Sequence, residues 1–281
     1  MFKTRTVSAL GGAALAAGLV LFVTPLLGGA VSVQSPGVRA TAVQKVFPSA
    51  VRIQVLAAGE LVRSASGIAF AHRGGRTYVL TNAHVVERSR SWRAPVEVKA
   101  IPGAGPTVAA KVLATGRMPD VDLAVLELPG ELPITTLAAD EGLELGDDLV
   151  VIGAPFGKGL SVAAGIVSQI EYENAESAGA RPSPTGLKTD AAIGYGSSGG
   201  GVFDVGGARL VGVVEGYRTA RVAFGKDTEQ YAFDVPMPGE TFVAPAAKIR
   251  RFLRDSGLAD LAPEPPPGSR GAFASPSPPR L

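Results

Sequence analysis

An eight-residue segment, Gly194-Tyr195-Gly196-Ser197-Ser198-Gly199-Gly200-Gly201, is the most informative part of this chain, and an apolar run follows it from Val202. Five of its eight residues are glycine. Glycine lets a backbone take turns that other residues avoid and leaves N–H groups pointing outward. A serine held in such a loop exposes its hydroxyl beside unpaired backbone donors, as an acyl-transfer nucleophile and its oxyanion hole require.

The same glycines also fit the Gly-x-Gly-x-x-Gly spacing of dinucleotide-binding proteins. That spacing carries meaning only between a strand and a helix, where the pyrophosphate meets the helix N-terminus. Here the loop is followed by residues 202–205, a Gly206-Gly207 turn and residues 210–214, a pattern typical of a β-hairpin. The context disfavours a nucleotide site, and a plain loop without chemistry is the other alternative.

Composition excludes several classes of function. Lys plus Arg number 27 against 25 Asp plus Glu, so the net charge of +2 gives no field that would gather nucleic acid. Cysteine is absent, which excludes disulfides, thiolate nucleophiles and Cys-based metal sites. With only two histidines, a zinc site would have to use carboxylates. Acyl transfer by a serine nucleophile needs neither a metal nor another cofactor, and none is expected.

The N-terminal residues 1–40 have the composition of an export segment. A short basic start is followed by residues 6–34, which carry no charge and are rich in Ala, Gly, Leu and Val. The segment is predicted to be either a retained membrane anchor or a signal peptide cleaved after a site such as residues 28–30 or 40–42. In both cases the rest of the chain is expected to be extracytoplasmic.

Short alternating apolar segments fill residues 46–235 and are separated by Gly, Pro and Asp turns. Regular short strands of this kind are typical of an all-β barrel or sandwich. They form two groups of about six, divided near residue 140. The sequence therefore predicts an all-β fold with two tandem six-stranded barrels, about residues 41–139 and 140–245, in a domain that covers residues 41–260.

The clearest predicted helix covers residues 246–255, because Ile249, Phe252 and Leu253 recur at helical spacing before Gly257. We expect this helix to pack across the second barrel. Residues 83–90 give at most one short helical turn. Residues 261–281 are rich in Pro and Ser and are predicted to be a disordered tail.

A serine nucleophile needs a base, and the histidines are the usual candidates. His72 lies in a polar turn, where a solvated surface role is favoured. His84 follows an apolar strand, at a position where a scaffold can hold an imidazole at the edge of a cleft. Asp122 opens the apolar run 123–128, where a buried carboxylate must be paired, although a simple turn aspartate is the alternative. Two barrels that share a cleft would bring His84, Asp122 and Ser198 together.

Three segments around these residues resemble the motifs of the chymotrypsin-like serine peptidases of the HtrA/Deg type. The histidine, aspartate and serine motifs are matched by Thr81-Asn82-Ala83-His84-Val85-Val86, Asp122-Leu123-Ala124-Val125-Leu126 and Gly196-Ser197-Ser198-Gly199-Gly200, and Ala65-Ser66-Gly67-Ile68 is a weaker echo. The resemblance covers about residues 41–256 and implies a trypsin-like fold. It also implies roles for His84 as general base, Asp122 as its orienting partner and Ser198 as nucleophile, with the N–H groups of Gly196 and Ser198 as the oxyanion hole.

The chain departs from the family pattern at Ser197, where Asn is usual, and at Gly201, where Pro is usual. We expect Gly201 to loosen the serine loop, which raises the question of whether the oxyanion hole is preformed. Only a helix and a Pro-rich tail follow Pro245, so no PDZ domain is expected. HtrA-type proteases are often trimers, and a homo-oligomer is an outcome that the resemblance allows.

The resemblance places the base of the substrate pocket at Ala192, with Ile193 beside it. No carboxylate lies there to hold Lys or Arg, so a small or medium apolar side chain before the scissile bond is expected. Glu215 and Arg218 are further candidates for the lining of this cleft.

The sequence thus predicts a serine endopeptidase that acts on proteins or peptides, in extracytoplasmic quality control or processing. The alternative from another class is a catalytically weak relative that uses the same cleft to bind peptides, as a chaperone or regulatory module.

Overall fold

The computed structural model describes residues 37–87, 96–103, 105–139, 142–172, 183–224 and 231–262. The uncharged residues 6–34, predicted to be an export segment, lie outside these ranges, and so does the Pro-rich sequence from residue 263 onwards. In the part of the chain that is described, every helix is too short or too polar to span a membrane.

The first barrel is a closed antiparallel sheet of six strands in the order β1-β2-β3-β6-β5-β4. Closure comes from pairing of the first strand with both the second and the fourth. The strands are β1 (Ala50–Ala57), β2 (Glu60–Arg73), β3 (Arg76–Thr81), β4 (Val96–Pro102), β5 (Val108–Thr115) and β6 (Ala124–Pro129).

The second barrel repeats this architecture with the strand order β10-β11-β12-β9-β8-β7. Its strands are β7 (Asp148–Gly153), β8 (Ser161–Tyr172), β9 (Pro184–Thr189), β10 (Gly201–Asp204), β11 (Leu210–Phe224) and β12 (Tyr231–Pro245). The prediction of an all-β fold with two six-stranded barrels in tandem is confirmed.

Apolar side chains on the two faces of the strands build separate cores. In β7, Leu149 and Val151 point into the second barrel, whereas Val150 and Ile152 belong to a cluster shared with the first barrel. Successive side chains of a strand alternate between faces, so a strand covered on both sides needs an unbroken apolar run. The shared cluster also contains Ile68 from the first barrel and Phe203 from the second, so the two barrels are packed directly against each other.

Three α-helices occur in the described residues, and the last is the predicted one. Helix α3 (Ala246–Asp255) follows directly after β12, and its residues Ile249, Phe252 and Leu253 are buried in the shared core. The chain then makes a 3-10 turn at Ala259–Leu261, and Leu261 is also buried. The ordered packing thus includes Leu261, an apolar residue that the sequence analysis placed at the start of the tail.

Helix α1 (Val38–Val46) has no counterpart in the sequence analysis, which finds helical patterns only near residues 83–90 and 246–255. It begins three residues before the predicted start of the domain at residue 41. Only Ala42 and Val46, one helical turn apart, are buried, and Arg39 pairs with Asp148 at 2.9 Å. A helix with one narrow buried stripe has a weak periodic signal, which explains why the pattern misses it.

Gly201 lies within β10 and is paired with Ile152 of β7 and Val213 of β11. A Cβ atom at this position would lie 2.6 Å from Cζ of Phe203 and 2.7 Å from Cγ1 of Ile68. The expectation that Gly201 loosens the serine loop is therefore wrong for this structure. The residue is fixed in a strand, and the Phe203 ring occupies the space that a side chain would need.

We predict that Gly201→Ala lowers the free energy of unfolding by about 1–3 kcal/mol, because the added methyl overpacks the core at Phe203. Urea unfolding of the purified chain measures this change. Gly216→Ala is the matched control, since no atom lies within 4 Å of a Cβ built on that strand glycine. Equal stability of the two variants would contradict the prediction.

Candidate active site

His84 lies in a helix of a single turn. Strand β3 ends at Thr81, Asn82 is extended, and α2 (Ala83–Val86) follows immediately. Ala83, Val85 and Val86 are buried, which anchors the turn and leaves His84 half-buried at its surface. Burial of these apolar residues therefore fixes the backbone of His84, while its imidazole stays at the surface of the turn.

Asp122, the residue before the run that leads into β6, uses both carboxylate oxygens to hold His84. Oδ2 lies 2.6 Å from the imidazole Nδ1, and Oδ1 accepts the backbone N–H of His84 at 2.9 Å. The side chains of His84 and Asp122 are 36% and 12% exposed. Because a carboxylate can only accept, Nδ1 carries the proton and the Nε2 lone pair is left to act as a base.

The serine loop is attached to the first barrel through Ser66 of β2. Its N–H donates to the carbonyl of Ser198 at 2.8 Å, and its hydroxyl donates to the carbonyl of Gly196 at 2.7 Å. The same hydroxyl accepts the N–H of Ala154 at 2.8 Å. In the sequence analysis Ser66 is only part of a weak motif and has no assigned role. Its partners are backbone atoms of residues far away in the sequence, which no local pattern indicates.

Gly199 shows how closely the loop approaches β2. A Cβ atom on Gly199 would lie 2.1 Å from the carbonyl oxygen of Ser66, and the residue has a φ of +82°. Both facts exclude a side chain at this position. The glycine after Ser198 thus allows the loop to lie against the first barrel.

Ser198, like His84, is half-buried. In the part of the chain that the structure describes, no hydrogen bond joins its hydroxyl to the imidazole. Catalytic hydrogen bonds are often long in unliganded enzymes and shorten when substrate binds. The structure therefore brings His84 and Asp122 into direct contact. The carbonyl of Ser198 is held by Ser66, whose own carbonyl accepts the Thr81 hydroxyl at 2.8 Å.

The N–H groups of Gly196 and Ser198, the predicted oxyanion hole, can be followed through the hydrogen bonds of the serine loop. Within the described ranges, neither the N–H of Gly196 nor that of Ser198 donates a hydrogen bond to the protein. The carbonyl of Tyr195 accepts the N–H of Phe156 at 2.5 Å. Since C=O and N–H of a trans peptide point in opposite directions, the Gly196 N–H points away from Phe156.

A cavity of about 430 Å³ opens beside this loop. Its lining includes Ala192, Ile193 and Tyr195 from the serine loop, Phe156 from the opposite loop and Tyr217 from β11. None of the residues that line it is charged. The structure thus places two of the three predicted pocket residues, Ala192 and Ile193, around one apolar cavity.

Glu215, the third predicted pocket residue, is absent from this lining. Its carboxylate accepts a hydrogen bond from Nζ of Lys248 on α3 at 2.7 Å, and both side chains are largely buried. Arg218 is exposed and lies 3.6 Å from the carboxylate of Glu240. The sequence analysis placed both residues near the cleft because they follow the predicted strand 210–214. It did not predict that Lys248 on α3 and Glu240 on β12 would be their partners.

Tyr195 and Tyr217 close one side of the cavity as an edge-to-face pair with ring centroids 5.8 Å apart. Burial raises the pKa of Tyr217 to about 12, and the charge of the neighbouring Tyr195 contributes. Sequence reasoning did not name Tyr217, because an aromatic residue in a long strand carries no signal of its own.

Comparison with known proteins agrees with this geometry. Residues 65–213 match the model of the trypsin-like peptidase domain. The chain belongs to the trypsin-like peptidase family. Serine protease HTRA1B from Danio rerio is 31% identical over 222 residues, which are 77% of this chain and 41% of that protein. Serine protease Do-like HtrA from Bacillus subtilis (strain 168) is 33% identical over 155 residues, 53% of this chain and 32% of that protein.

Solved structures share the fold of this trypsin-like peptidase. The serine endoprotease from Yersinia pestis superimposes with a TM-score of 0.60 at 22% identity and covers 81% of this chain and 69% of that one. The inactive form of Rv3671c from M. tuberculosis H37Rv, a serine-to-alanine mutant, superimposes with a TM-score of 0.58 at 25% identity. The match covers 79% of this chain and 95% of that one. The trypsin-like peptidase chain spans less than half the length of the HtrA relatives above.

We predict that Ser66→Ala slows catalysis more than it weakens substrate binding. The change leaves the Gly196 carbonyl and the Ala154 N–H without their partner, at a cost of about 1–3 kcal/mol for each buried group left unpaired. The rate of covalent labelling by a fluorophosphonate probe measures the effect on the loop. Ser49→Ala is the control, since the Ser49 hydroxyl is also buried but donates only to Val46 in its own turn. Equal labelling rates in the two variants would contradict the prediction.

We predict that Tyr217 ionises at about pH 12. Absorbance titration of the folded chain detects this step, which Tyr217→Phe removes and Tyr195→Phe moves to lower pH. The native state holds this proton more tightly than the unfolded chain, where the pKa is about 10. The stabilising contribution is therefore complete below about pH 10 and is lost as the pH rises through about 12. An ionisation step near pH 12 that survives Tyr217→Phe would contradict the assignment to Tyr217.

Proposed function

We propose that this chain is a serine endopeptidase that hydrolyses protein substrates through an acyl-enzyme, with Ser198 as nucleophile, His84 as general base and Asp122 as its orienting partner. The observation that carries the proposal is the bidentate contact of Asp122 with the imidazole and the backbone N–H of His84. Such a contact sets the tautomer of the base and stabilises its charged form.

In the acylation step, Nε2 of His84 takes the proton of Ser198 while its Oγ attacks the scissile carbonyl carbon. Negative charge develops on the carbonyl oxygen, where the N–H groups of Gly196 and Ser198 stabilise it. The imidazolium then gives its proton to the leaving amine, and the C–N bond breaks. In deacylation, His84 activates a water molecule in the same way and returns the proton to Ser198, while Asp122 stays ionised throughout.

The cavity beside the serine loop suits an apolar side chain on the residue before the scissile bond. Its lining has no charge to pair with Lys, Arg, Asp or Glu, and burial of an unpaired charge is costly. Glu215 does not alter this, because its carboxylate is paired with Lys248. A small or medium apolar residue is the substrate class we propose for this position.

We further propose that the enzyme works outside the cytoplasm, in protein quality control or processing. The support is the basic start followed by the uncharged residues 6–34, a composition typical of export segments. We infer that this segment either anchors the domain to the membrane or is removed as a signal peptide.

The mechanism predicts distinct losses for two substitutions in the full-length chain. Ser198→Ala removes the nucleophile and abolishes both cleavage of unfolded casein and labelling by a fluorophosphonate probe. Asp122→Asn places the proton on the wrong imidazole nitrogen, and kcat is expected to fall by about 10⁴-fold. Rates of casein cleavage and probe labelling measure both effects. Casein cleavage that survives Ser198→Ala would overturn the proposed mechanism.

A second candidate function is favoured by the missing hydrogen bond between Ser198 and His84 in the described part of the chain. A protein that keeps this pair apart would bind peptides in the cleft without cleaving them. The same experiment separates the two, because a pure binding module retains unfolded casein but does not label with the probe.

A further inference from the structure

Among the residues described up to Glu87, no backbone N–H of helix α2 donates to the carbonyls of His84 and Val85. The N–H of Val85 donates to the carbonyl of Asn82 at 3.3 Å, and the N–H of Glu87 donates to that of Ala83 at 2.9 Å. These bonds leave the carbonyls of His84 and Val85 facing beyond the last turn. A helix of four residues has almost no intrinsic stability in water, so contacts from outside must hold it.

Arg63 of β2 supplies the partner for these carbonyls. Its Nη1 donates to the carbonyls of His84 and Val85, the second at 2.9 Å, and lies 3.5 Å from that of Glu87. Burial lowers the pKa of the guanidinium from its ordinary value, and the nearby Glu87 carboxylate acts in the opposite direction. The cation is thus partly removed from water and compensated by carbonyl dipoles at the C-terminal end of the helix.

We propose that Arg63 is a positioning residue for catalysis, which holds the turn that carries His84 at the orientation required for proton transfer from Ser198. The proposal rests on the role proposed above for His84. Asp122 fixes the imidazole and the N-terminal side of the turn, whereas Arg63 fixes its C-terminal side. The two contacts together prevent rotation of α2 about its axis.

The position of Arg63 in the strand adds a second reason. Ser66, which holds the serine loop, lies three residues further along β2. A single strand segment therefore fixes the backbone of both reacting groups, and its stiffness sets the distance between them. A displacement of about 1 Å at such a site is enough to cost about 100-fold in rate.

The experiment compares Arg63→Met, which keeps the length and the apolar stem, with Arg63→Lys, which keeps a cationic donor. Measurements use the full-length chain and a fluorogenic peptide derived from casein. We expect Arg63→Met to lower kcat and the probe-labelling rate by about 10- to 100-fold with little change in KM, and Arg63→Lys to recover part of the loss. Arg76→Met is the matched control, because Arg76 pairs with Glu127 on the outside of the same barrel.

A second measurement does not depend on turnover. The proton between Nδ1 of His84 and Oδ2 of Asp122 should give a low-field proton NMR signal at the 2.6 Å contact. Arg63→Met is expected to shift or broaden this signal, Arg63→Lys to restore it in part, and Arg76→Met to leave it unchanged.

The outcomes separate this proposal from the proposed function. If Ser198→Ala cleaves casein like the unmodified chain, the proposed function fails, and the NMR signal alone tests Arg63. If Ser198→Ala is inactive but Arg63→Met keeps normal kcat and an unchanged NMR signal, the positioning role is overturned. A lower Tm for Arg63→Met with normal kcat would also overturn it, because Arg63 would then only stabilise the helix end.

Discussion

The catalytic cleft depends on the hydrogen bonds of one buried residue, Ser66. Its backbone and hydroxyl connect the carbonyls of Ser198 and Gly196, the N–H of Ala154 and the hydroxyl of Thr81. These groups come from both barrels, so the bonds join the two sheets at the point where the chemistry is proposed to occur. Apolar packing brings the barrels together, but it is non-directional. Directional bonds at Ser66 determine how the loops face each other.

The charged side chains discussed for this site, Asp122, Arg63 and Glu215, each have a backbone or side-chain partner. Asp122 is buried and uses both oxygens on His84, while Arg63 is compensated by carbonyls of the turn that carries His84. Glu215 and Lys248 form an ion pair of their own, away from the lining of the cavity. An ionised group removed from water without such a partner would be costly, so each pair also restricts how its segment can move. The electrostatic arrangement that supports a base therefore also stiffens the site.

The sequence was sufficient for the features that depend on local pattern. Alternating apolar residues predicted both barrels, and the spacing of Ile249, Phe252 and Leu253 predicted the last helix. The rest required tertiary structure. Arg63 contacts backbone carbonyls, which every residue has, so no residue-type pattern marks its partners. Gly201 was misjudged for a similar reason, since the space beside it is filled by Phe203 from the same strand and Ile68 from the other barrel.

The backbone bonds of the serine loop bear on how the gap between Ser198 and His84 can close. The carbonyl of Ser198 is held by the Ser66 N–H at 2.8 Å, and the N–H of Gly199 donates to the carbonyl of Val214 at 3.0 Å. The peptide group that follows the nucleophile is therefore fixed to two different strands. Asp122 holds the imidazole of His84, so the freedom that remains at the reacting groups lies in the side-chain torsion of Ser198. A rotamer change at Ser198 leaves the backbone bonds of the loop intact.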